Sequence, residues 1–172
     1  KDMFATGLFD SFFLSGGTAL SAFYLGHRLS EDLDFFTLEN INTGELDFLI
    51  MRSGIGSIKK IKASSGFLRY VINDIKVDIV HDPLSIKGIR PSISIDGIKV
   101  SIDIVENIFS NKFTTLVSRA ESKDFIDFYF LKNFIQEFSV KDLYNLAATK
   151  DVIFDDPANV AFALEENLKF IQ

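Results

Sequence analysis

The chain has 172 residues, of which 47% are hydrophobic and 19 are phenylalanine, and it carries a net charge of −6. This length is enough for one domain with a substantial core. The acidic balance argues against a surface that coats nucleic acid without specificity, and the absence of cysteine excludes disulfides, thiolate zinc sites and a cysteine nucleophile. No apolar run exceeds five residues, so a transmembrane segment is not predicted, and we expect a cytoplasmic protein.

The amino-terminal part of the chain combines short apolar strands with helices. Asn73-Asp74 and Asp96-Gly97 each separate two alternating segments and predict β-hairpin turns. The predicted helices cover residues 1–11, 18–25 and 43–52. The predicted strands cover residues 12–14, 32–36, 58–63, 67–72 and 75–80, with a hairpin within 93–102.

From residue 103 onward the hydrophobic spacing becomes helical and stays so. Helices are predicted over residues 103–119, 122–135, 140–149 and 157–171. No internal repeat, low-complexity segment or flexible linker interrupts the chain. We therefore expect an α/β (α+β) fold with an α/β core over residues 1–102 and a helical subdomain over residues 103–172 packed on that core.

A glycine pair separates the first predicted strand from the first helix. Gly16 and Gly17 let the backbone turn sharply and approach a ligand closely, because no Cβ stands in the way. Thr18 is a suitable N-cap, and the free N–H groups at a helix start attract anions. The turn is therefore predicted to bind phosphate groups through Gly16, Gly17 and Thr18.

Two acidic residues, Asp32 and Asp34, open the next strand and point to the same side of it. Two carboxylates beside a phosphate-binding turn would repel each other and the phosphate unless a divalent cation lay between them. The pattern therefore predicts metal-assisted handling of a nucleotide. Arg28 and Ser30 lie between the helix and the acids, where the forked guanidinium suits a triphosphate.

This stretch resembles the nucleotidyl transferase AbiEii/AbiGii toxin family, which belongs to the nucleotidyltransferases built like DNA polymerase β. That larger group shares a Gly-Ser or Gly-Thr turn, a helix, and Asp-x-Asp on the next strand. Gly17-Thr18 and Asp32-Leu33-Asp34 match this pattern. Gly16-Gly17-Thr18 together with Gly26-His27-Arg28 narrows the resemblance to the toxin family.

The resemblance implies a fold, an activity and a setting. The fold is a polymerase-β-like core with a mixed sheet and flanking helices, followed by the helical subdomain. The activity is metal-dependent transfer of a nucleotide from a nucleoside triphosphate to a hydroxyl of RNA, tRNA included, or of protein, with Mg²⁺ or Mn²⁺ as cofactor. The setting is a type IV-like toxin–antitoxin system of abortive infection, with a separately encoded antitoxin as partner and no membrane.

Two other functions stay open at the level of sequence. Transfer to a small molecule, such as an antibiotic hydroxyl, would suit the acidic charge. A catalytically inactive, nucleotide-binding regulatory module would keep the fold without turnover, although the acidic residues argue against it.

Asp78 is the third acidic candidate and lies in the middle of a predicted strand. A carboxylate among β-branched residues is costly without a partner, so it either faces water on an edge strand or serves a site. The resemblance implies a third metal-binding carboxylate from a strand beside the Asp-x-Asp strand, and Asp78 is the match. Asp32, Asp34 and Asp78 are therefore expected to hold Mg²⁺, with two ions about 4 Å apart if both bind.

Lys112 interrupts the apolar stripe of the predicted helix 103–119, and Arg119 follows on the same face. A lysine on an apolar surface can extend outward to solvent. Alternatively, Lys112 reaches an active cleft and holds phosphate oxygens, and the family that the chain resembles has a lysine in this helix.

Asp124 and Asp127 are three residues apart and share one face of a helix that is otherwise largely apolar. They form a structural ion-pair cluster with Lys112, Arg119 or Lys123, or Asp124 orients or deprotonates the attacking hydroxyl. Lys112 and Asp124 are therefore catalytic candidates beside the three acids.

Overall fold

The computed structural model describes residues 7–119 and 121–170. The chain divides into two compact units, Lys1–Ile104 and Val105–Gln172. The described part of the first unit contains a mixed seven-stranded sheet, and that of the second is helical. The fold is therefore α/β, as the sequence predicts.

The first unit alternates strands with two helices before it becomes a run of antiparallel hairpins. Its strands and helices are β1 (Phe13–Ser15), α1 (Gly16–Leu20), β2 (Leu33–Thr37), α2 (Thr43–Arg52), β3 (Ile58–Ser64), β4 (Phe67–Ile72), β5 (Ile75–His81), β6 (Ser92–Ile95) and β7 (Ile98–Ile102). The sheet order is β3-β4-β5-β2-β1-β7-β6. Strand β2 is parallel to β5 and β1 is parallel to β7, while the other neighbours are antiparallel.

Helix α1 begins earlier than the sequence predicts. Its N-cap is Ser15, so the prediction that Thr18 is the N-cap is wrong. The helix continues directly into a π-helical turn, Ser21–Leu25, and ends at Gly26 in the left-handed region with φ 60°, which confirms the predicted stop. Two glycines after Ser15 let the chain enter the helix at once, because Gly16 adopts φ 68°.

Both predicted hairpin turns are confirmed. Asn73 and Asp74 have φ of 48° and 67°, and Asp96 and Gly97 have φ of 51° and 82°. Positive φ at both central residues matches the twist of the paired strands. The turn at Asn73 and Asp74 fixes the pairing of β4 with β5.

Helix α2 packs against β3 and β4 and buries one face of this part of the sheet. Ile50 and Tyr70 are almost fully buried there. Asp47 of α2 accepts hydrogen bonds from the Tyr70 hydroxyl and the Lys60 ammonium, each at 2.8 Å. Because side chains alternate along strands, residues next to Tyr70 lie on the opposite face.

A β-bulge at Ile61 changes which lysines of β3 share a face. Lys60 pairs with Tyr70, whereas Lys62 pairs with Arg69, so two residues of β3 advance against one residue of β4. Lys60 therefore faces α2, and Lys62 lies on the opposite face. Without the bulge these two lysines would point the same way.

The second unit contains four α-helices and one 3₁₀ turn in its described residues: α3 (Val105–Ser118), α4 (Ser122–Phe134), α5 (Val140–Ala148), the 3₁₀ turn Val152–Asp155 and α6 (Pro157–Leu168). The four helices agree with the predicted ones to within a few residues, and the 3₁₀ turn is not predicted. Phe113 contacts Phe128 and Phe154 with ring centroids 5.6 and 5.2 Å apart, which gives this unit an aromatic core.

The predicted helix over residues 1–11 falls partly outside the described residues, which begin at residue 7. Residues 7–11 form turns, so the prediction is wrong for this part. Within 7–119 and 121–170, no helix combines the length and apolar character needed to cross a membrane.

Candidate active site

A row of register partners crosses five strands of the first unit. Ser15 of β1 lies opposite Asp34 of β2, and Asp34 lies opposite Asp78 of β5. Asp78 in turn pairs with Arg69 of β4, which pairs with Lys62 of β3. Since register partners point to the same side of a sheet, these five side chains share a face, which we call the charged row.

The glycine turn lies directly against the charged row. A Cβ added at Gly16 would collide with the Asp34 carboxylate, so only glycine lets the backbone approach this acid. A Cβ at Gly17 would collide with the Arg28 guanidinium and lie 3.0 Å from the Ser30 hydroxyl. The turn is thus enclosed by three of the residues that the sequence singles out.

Thr18 joins the start of α1 to the segment before β2. Its hydroxyl contacts the Ser30 hydroxyl at 3.0 Å and hydrogen-bonds to the backbone oxygen of Asp32. Arg28 donates from Nη1 to the Leu29 carbonyl at 2.9 Å. These contacts bring together Gly16, Gly17, Thr18, Arg28 and Ser30, which agrees with their predicted grouping.

Arg69 also lies at the candidate site, although no sequence motif singles it out. Its Nε and Nη2 bind the two Asp78 oxygens at 2.7 and 2.6 Å, and the Asp78 side chain is only 9% exposed. The hydrogen bond with Asp78 raises the pKa of Arg69, and the charges of Asp34 and Asp32 act in the same direction against the effect of burial. One guanidinium therefore lies near all three predicted metal ligands.

The hairpin turn provides the signal that would have identified Arg69. Asn73-Asp74 is a two-residue turn, so residues at equal distances on either side face each other. Arg69 lies four residues before Asn73 and Asp78 lies four after Asp74. The hairpin register, which can be read from the sequence, therefore places the cation of Arg69 opposite the acid of Asp78.

The three acids share a face, but their side chains do not converge. Asp78 is held by Arg69, and Asp32 forms an ion pair with Lys76. No three histidine, aspartate or glutamate side chains in residues 7–119 and 121–170 are arranged to hold a metal ion. By donor type and by their common face, Asp32, Asp34 and Asp78 nevertheless suit a hard divalent cation, and the metal site stays a prediction.

The second unit contains a buried ion cluster, which consists of Lys112, Arg119, Asp124 and Asp127. The Lys112 ammonium lies 2.8 Å from Asp124 and 2.7 Å from Asp127, and Arg119 Nε lies 2.7 Å from Asp124. Both carboxylates are fully buried, and the Lys112 side chain is 9% exposed. Lys112 therefore does not extend to solvent, and the ion-pair interpretation accounts for its place in the apolar stripe.

The cluster also sets the protonation of Asp124. Burial by itself would raise the pKa of this carboxyl, but the hydrogen bond from Arg119 and the charge of Lys112 lower it below its usual range. A carboxyl whose pKa is lower in the folded than in the unfolded state stabilises the fold. The contribution is fully present at pH values above the unfolded pKa of about 3.9. This contribution is lost as the pH falls through the lowered pKa.

Solved structures define the class of protein to which this fold belongs. The crystal structure of JHP933 from Helicobacter pylori is 20% identical, with a TM-score of 0.52 over 92% of this chain and 86% of that one. ANT(2'')-Ia in complex with adenylyl-2''-tobramycin is 14% identical, with a TM-score of 0.55 over 83% and 90%. The nucleotidyltransferase toxin MenT4 from Mycobacterium tuberculosis H37Rv is 17% identical, with a TM-score of 0.52 over 79% and 54%. The fold is that of the polymerase-β-like nucleotidyltransferases.

The family follows from the sequence. The model of the nucleotidyl transferase AbiEii toxin family of type IV toxin–antitoxin systems matches residues 1–168, and the chain belongs to this family. An uncharacterized protein of Aquifex aeolicus (strain VF5) is 29% identical over 126 residues, which are 73% of this chain and 59% of the relative. The chain thus spans less than two thirds of the length of that relative.

Substitution of Lys112 tests the buried ion cluster. Lys112→Met keeps most of the side-chain volume but leaves two buried carboxylates without their shared cation, and breaking such a pair costs about 3–5 kcal/mol. We expect the thermal midpoint to fall by about 10 °C. Lys123→Met is the matched control, because Lys123 pairs with Glu121 and both side chains are more than 40% exposed, and a pair of this kind contributes at most about 1 kcal/mol.

Thermal unfolding of the two variants, with transfer activity measured on the same samples, distinguishes a structural ion pair from a catalytic role for Lys112. Equal, small losses of stability would show that the cluster is not a structural support. Normal turnover in a destabilised Lys112→Met variant would exclude a catalytic role for Lys112.

Proposed function

We propose that this chain transfers a nucleotide from a nucleoside triphosphate to an acceptor hydroxyl, as the toxin of a type IV-like system with a separately encoded antitoxin. The observation that carries the proposal is the position of the glycine turn against Asp34, whose register partner is Asp78. A turn that admits phosphate beside two carboxylates on one face suits a triphosphate bound with a divalent cation. Family membership supports the same activity.

The turn and its surroundings would hold the triphosphate. Gly16 and Gly17 offer close approach to the backbone, and the Thr18 hydroxyl and Ser30 line the same place. Arg28 lies over Gly17 and suits phosphate oxygens through its forked donors. Displacing the guanidinium from Gly17 requires movement of only the end of a flexible side chain.

Asp32, Asp34 and Asp78 would hold the Mg²⁺ or Mn²⁺ that the family resemblance implies. When bound, such ions neutralise the triphosphate and lower the pKa of the attacking hydroxyl. The chain's own cations, Arg69 and Lys76, neutralise two of these acids in the structure. A divalent cation would therefore compete with both, and the two released side chains would remain beside the bound phosphates.

Of the two acceptors that family resemblance implies, RNA and protein, the charged row favours RNA. Beyond the acids, this face carries Lys62, Arg69 and, opposite Val71, Lys59. The ring of Phe67 lies 5.6 Å from the Lys62 ammonium and 5.4 Å from the Arg69 guanidinium. Cations around an aromatic ring suit phosphates and stacked bases, and they are concentrated here on a chain whose net charge is −6.

Lys112 and Asp124 of the second unit are the remaining catalytic candidates. In this proposal Lys112 holds phosphate oxygens and Asp124 orients or deprotonates the acceptor hydroxyl. Both groups are paired in the structure, so each would have to exchange a partner. A small-molecule acceptor remains the second candidate, because the acidic chain suits a cationic substrate and the ANT(2'')-Ia complex contains adenylyl-2''-tobramycin.

Gly17→Val tests whether the triphosphate binds at the glycine turn. The branched side chain would occupy the space beside Arg28 and Ser30, so we expect affinity for the triphosphate to fall more than about tenfold while the fold is kept. Gly44→Val is the matched control, because Gly44 is likewise the second residue of a helix but has only ordinary contact with Asn42. Calorimetric titration of both folded variants checks this, and equal affinities would place the phosphates elsewhere.

Divalent cation should stabilise the first unit through Asp34. At a Mg²⁺ concentration of about 100 times its dissociation constant, mass action adds about 2.7 kcal/mol to the free energy of unfolding. We expect Mg²⁺ to raise the thermal midpoint of the wild type but not of Asp34→Asn. Asp47→Asn is the control, because Asp47 is an ion-paired acid of the same unit that belongs to α2, on the opposite face of the sheet. An equal effect of Mg²⁺ on both variants would contradict the metal site.

Labelled nucleoside triphosphates identify the acceptor. The protein is incubated with each triphosphate and total RNA, and then with lysate protein. We expect the label in RNA. Label in protein or in a small molecule would instead identify that class as the acceptor. Lys62→Gln should weaken RNA binding and reduce its salt slope by about one. Lys60→Gln should leave both unchanged, since Lys60 lies on the other face with Asp47.

A further inference from the structure

We propose that Asp103 and Ser15 are positioning residues that fix the glycine turn in the conformation that receives the triphosphate. This inference rests on the proposed function and adds residues that neither the sequence motif nor the family match identifies. Asp103 follows β7, one residue beyond the pair formed by Leu14 and Ile102. It therefore extends the charged row past Ser15, on the side away from Asp34.

Asp103 is a fully buried carboxylate with several donors around it. Its Oδ2 accepts the Ser15 hydroxyl at 2.7 Å. Its Oδ1 accepts Arg90 Nε at 3.1 Å and the backbone N–H of Ile104 at 3.0 Å. A buried carboxylate with satisfied oxygens and a paired cation is stable and rigid.

Arg90 is itself held in place, so the charge partner of Asp103 has little freedom. Its guanidinium lies 3.5 Å from the ring centroid of Phe13, and its Nη2 donates to the Ile86 carbonyl at 3.1 Å. The Arg90 side chain is 10% exposed. The orientation of the Asp103 carboxylate is thus fixed by groups outside the glycine turn.

The backbone of Asp103 also connects both sides of the turn. Its N–H donates to the Leu14 carbonyl at 2.8 Å, immediately before the turn. The Tyr24 hydroxyl, near the end of the helical segment after the turn, donates to the Asp103 carbonyl at 2.6 Å. Asp103 therefore holds the chain before the turn, at Ser15, and after the turn.

The Ser15 hydroxyl has an unusual role for an N-cap. A serine at this position ordinarily accepts a hydrogen bond from an amide of the first helical turn, as Ser139 does from Asp142 in α5. Ser15 makes no such side-chain bond; its hydroxyl donates to Asp103 instead. Asp103 thereby directs the hydroxyl away from the amides of the glycine turn, where a phosphate would otherwise compete with it.

A matched pair of serine variants tests the role of Ser15. Ser15→Ala and Ser85→Ala each remove a buried hydroxyl that donates to an aspartate at 2.7 Å, since Ser85 donates to Asp82. Each variant is titrated with ATP, GTP, CTP and UTP in the presence of Mg²⁺, well below its thermal midpoint. We expect Ser15→Ala to weaken the best triphosphate about tenfold, as for loss of a hydrogen bond to a charged group, and Ser85→Ala to match the wild type.

A second pair keeps the test decisive if Ser15→Ala does not fold. Tyr24→Phe and Tyr144→Phe each remove a phenolic hydroxyl that donates to a backbone carbonyl, of Asp103 and of Phe154 respectively. Tyr24→Phe should weaken the triphosphate about threefold or more, raise KM and leave kcat unchanged, because the turn binds the triphosphate but the acids carry out the reaction. Tyr144→Phe should change neither constant.

The outcomes distinguish this inference from the proposed function. Wild-type affinity in both Ser15→Ala and Tyr24→Phe, with Gly17→Val still impaired, would overturn the positioning role alone. Absence of triphosphate binding by the wild type, or binding unaffected by Gly17→Val, would overturn both. Equal losses in Tyr24→Phe and Tyr144→Phe would assign the effect to general stability and overturn the positioning role.

Discussion

The hydrogen-bonding register between β2 and β5 decides where the charged groups of the candidate site lie. It places Asp34 opposite Asp78, and the burial of Val77 and Ile79 fixes it, since these two side chains are 2% and 0% exposed. A slip by one residue would turn both of them outward and send Asp78 to the face on which α2 packs. Each such side chain contributes about 1.5–3 kcal/mol when buried. The hydrophobic core of the sheet therefore holds the acids in place.

Asp78 and Asp32 of the candidate site each have a cation of the same chain as a neighbour, which offsets the repulsion between carboxylates on one face. Arg69 binds Asp78, Lys76 binds Asp32, and in the second unit Lys112 and Arg119 bind two buried acids. Buried charges persist only with such partners. These pairs balance the charges without ligand, and in the proposed function an external cation or phosphate would bind by exchange of counter-ions.

The face of the charged row also shows how an acidic chain can carry several cations close together. The bulge at Ile61 turns Lys62 to the face of Asp78 and leaves Lys60 on the other face, where it binds Asp47 of α2. Long-range repulsion of a polyanion falls off within a Debye length of about 8 Å in physiological salt. If RNA is the acceptor, as proposed, the local arrangement of cations beside the acids would therefore govern its encounter with the protein more than the net charge of the whole chain.

The sequence by itself determined most of the secondary structure, the glycine turn, the acids and the family resemblance. These features are local: strand alternation, turn residues such as Asn73-Asp74, and the spacing of Asp32 and Asp34 are readable within a few positions.

The tertiary structure decided the partners. The long-range pair of Ser15 with Asp103 depends on which strands become neighbours, and the face of Lys62 depends on a bulge. Propensity and periodicity carry no information on either, because register and strand order follow from burial of the whole core. Thr18 illustrates the difference, since its cap propensity is local, whereas its actual contacts, with Ser30 and Asp32, exist only once the chain has folded back.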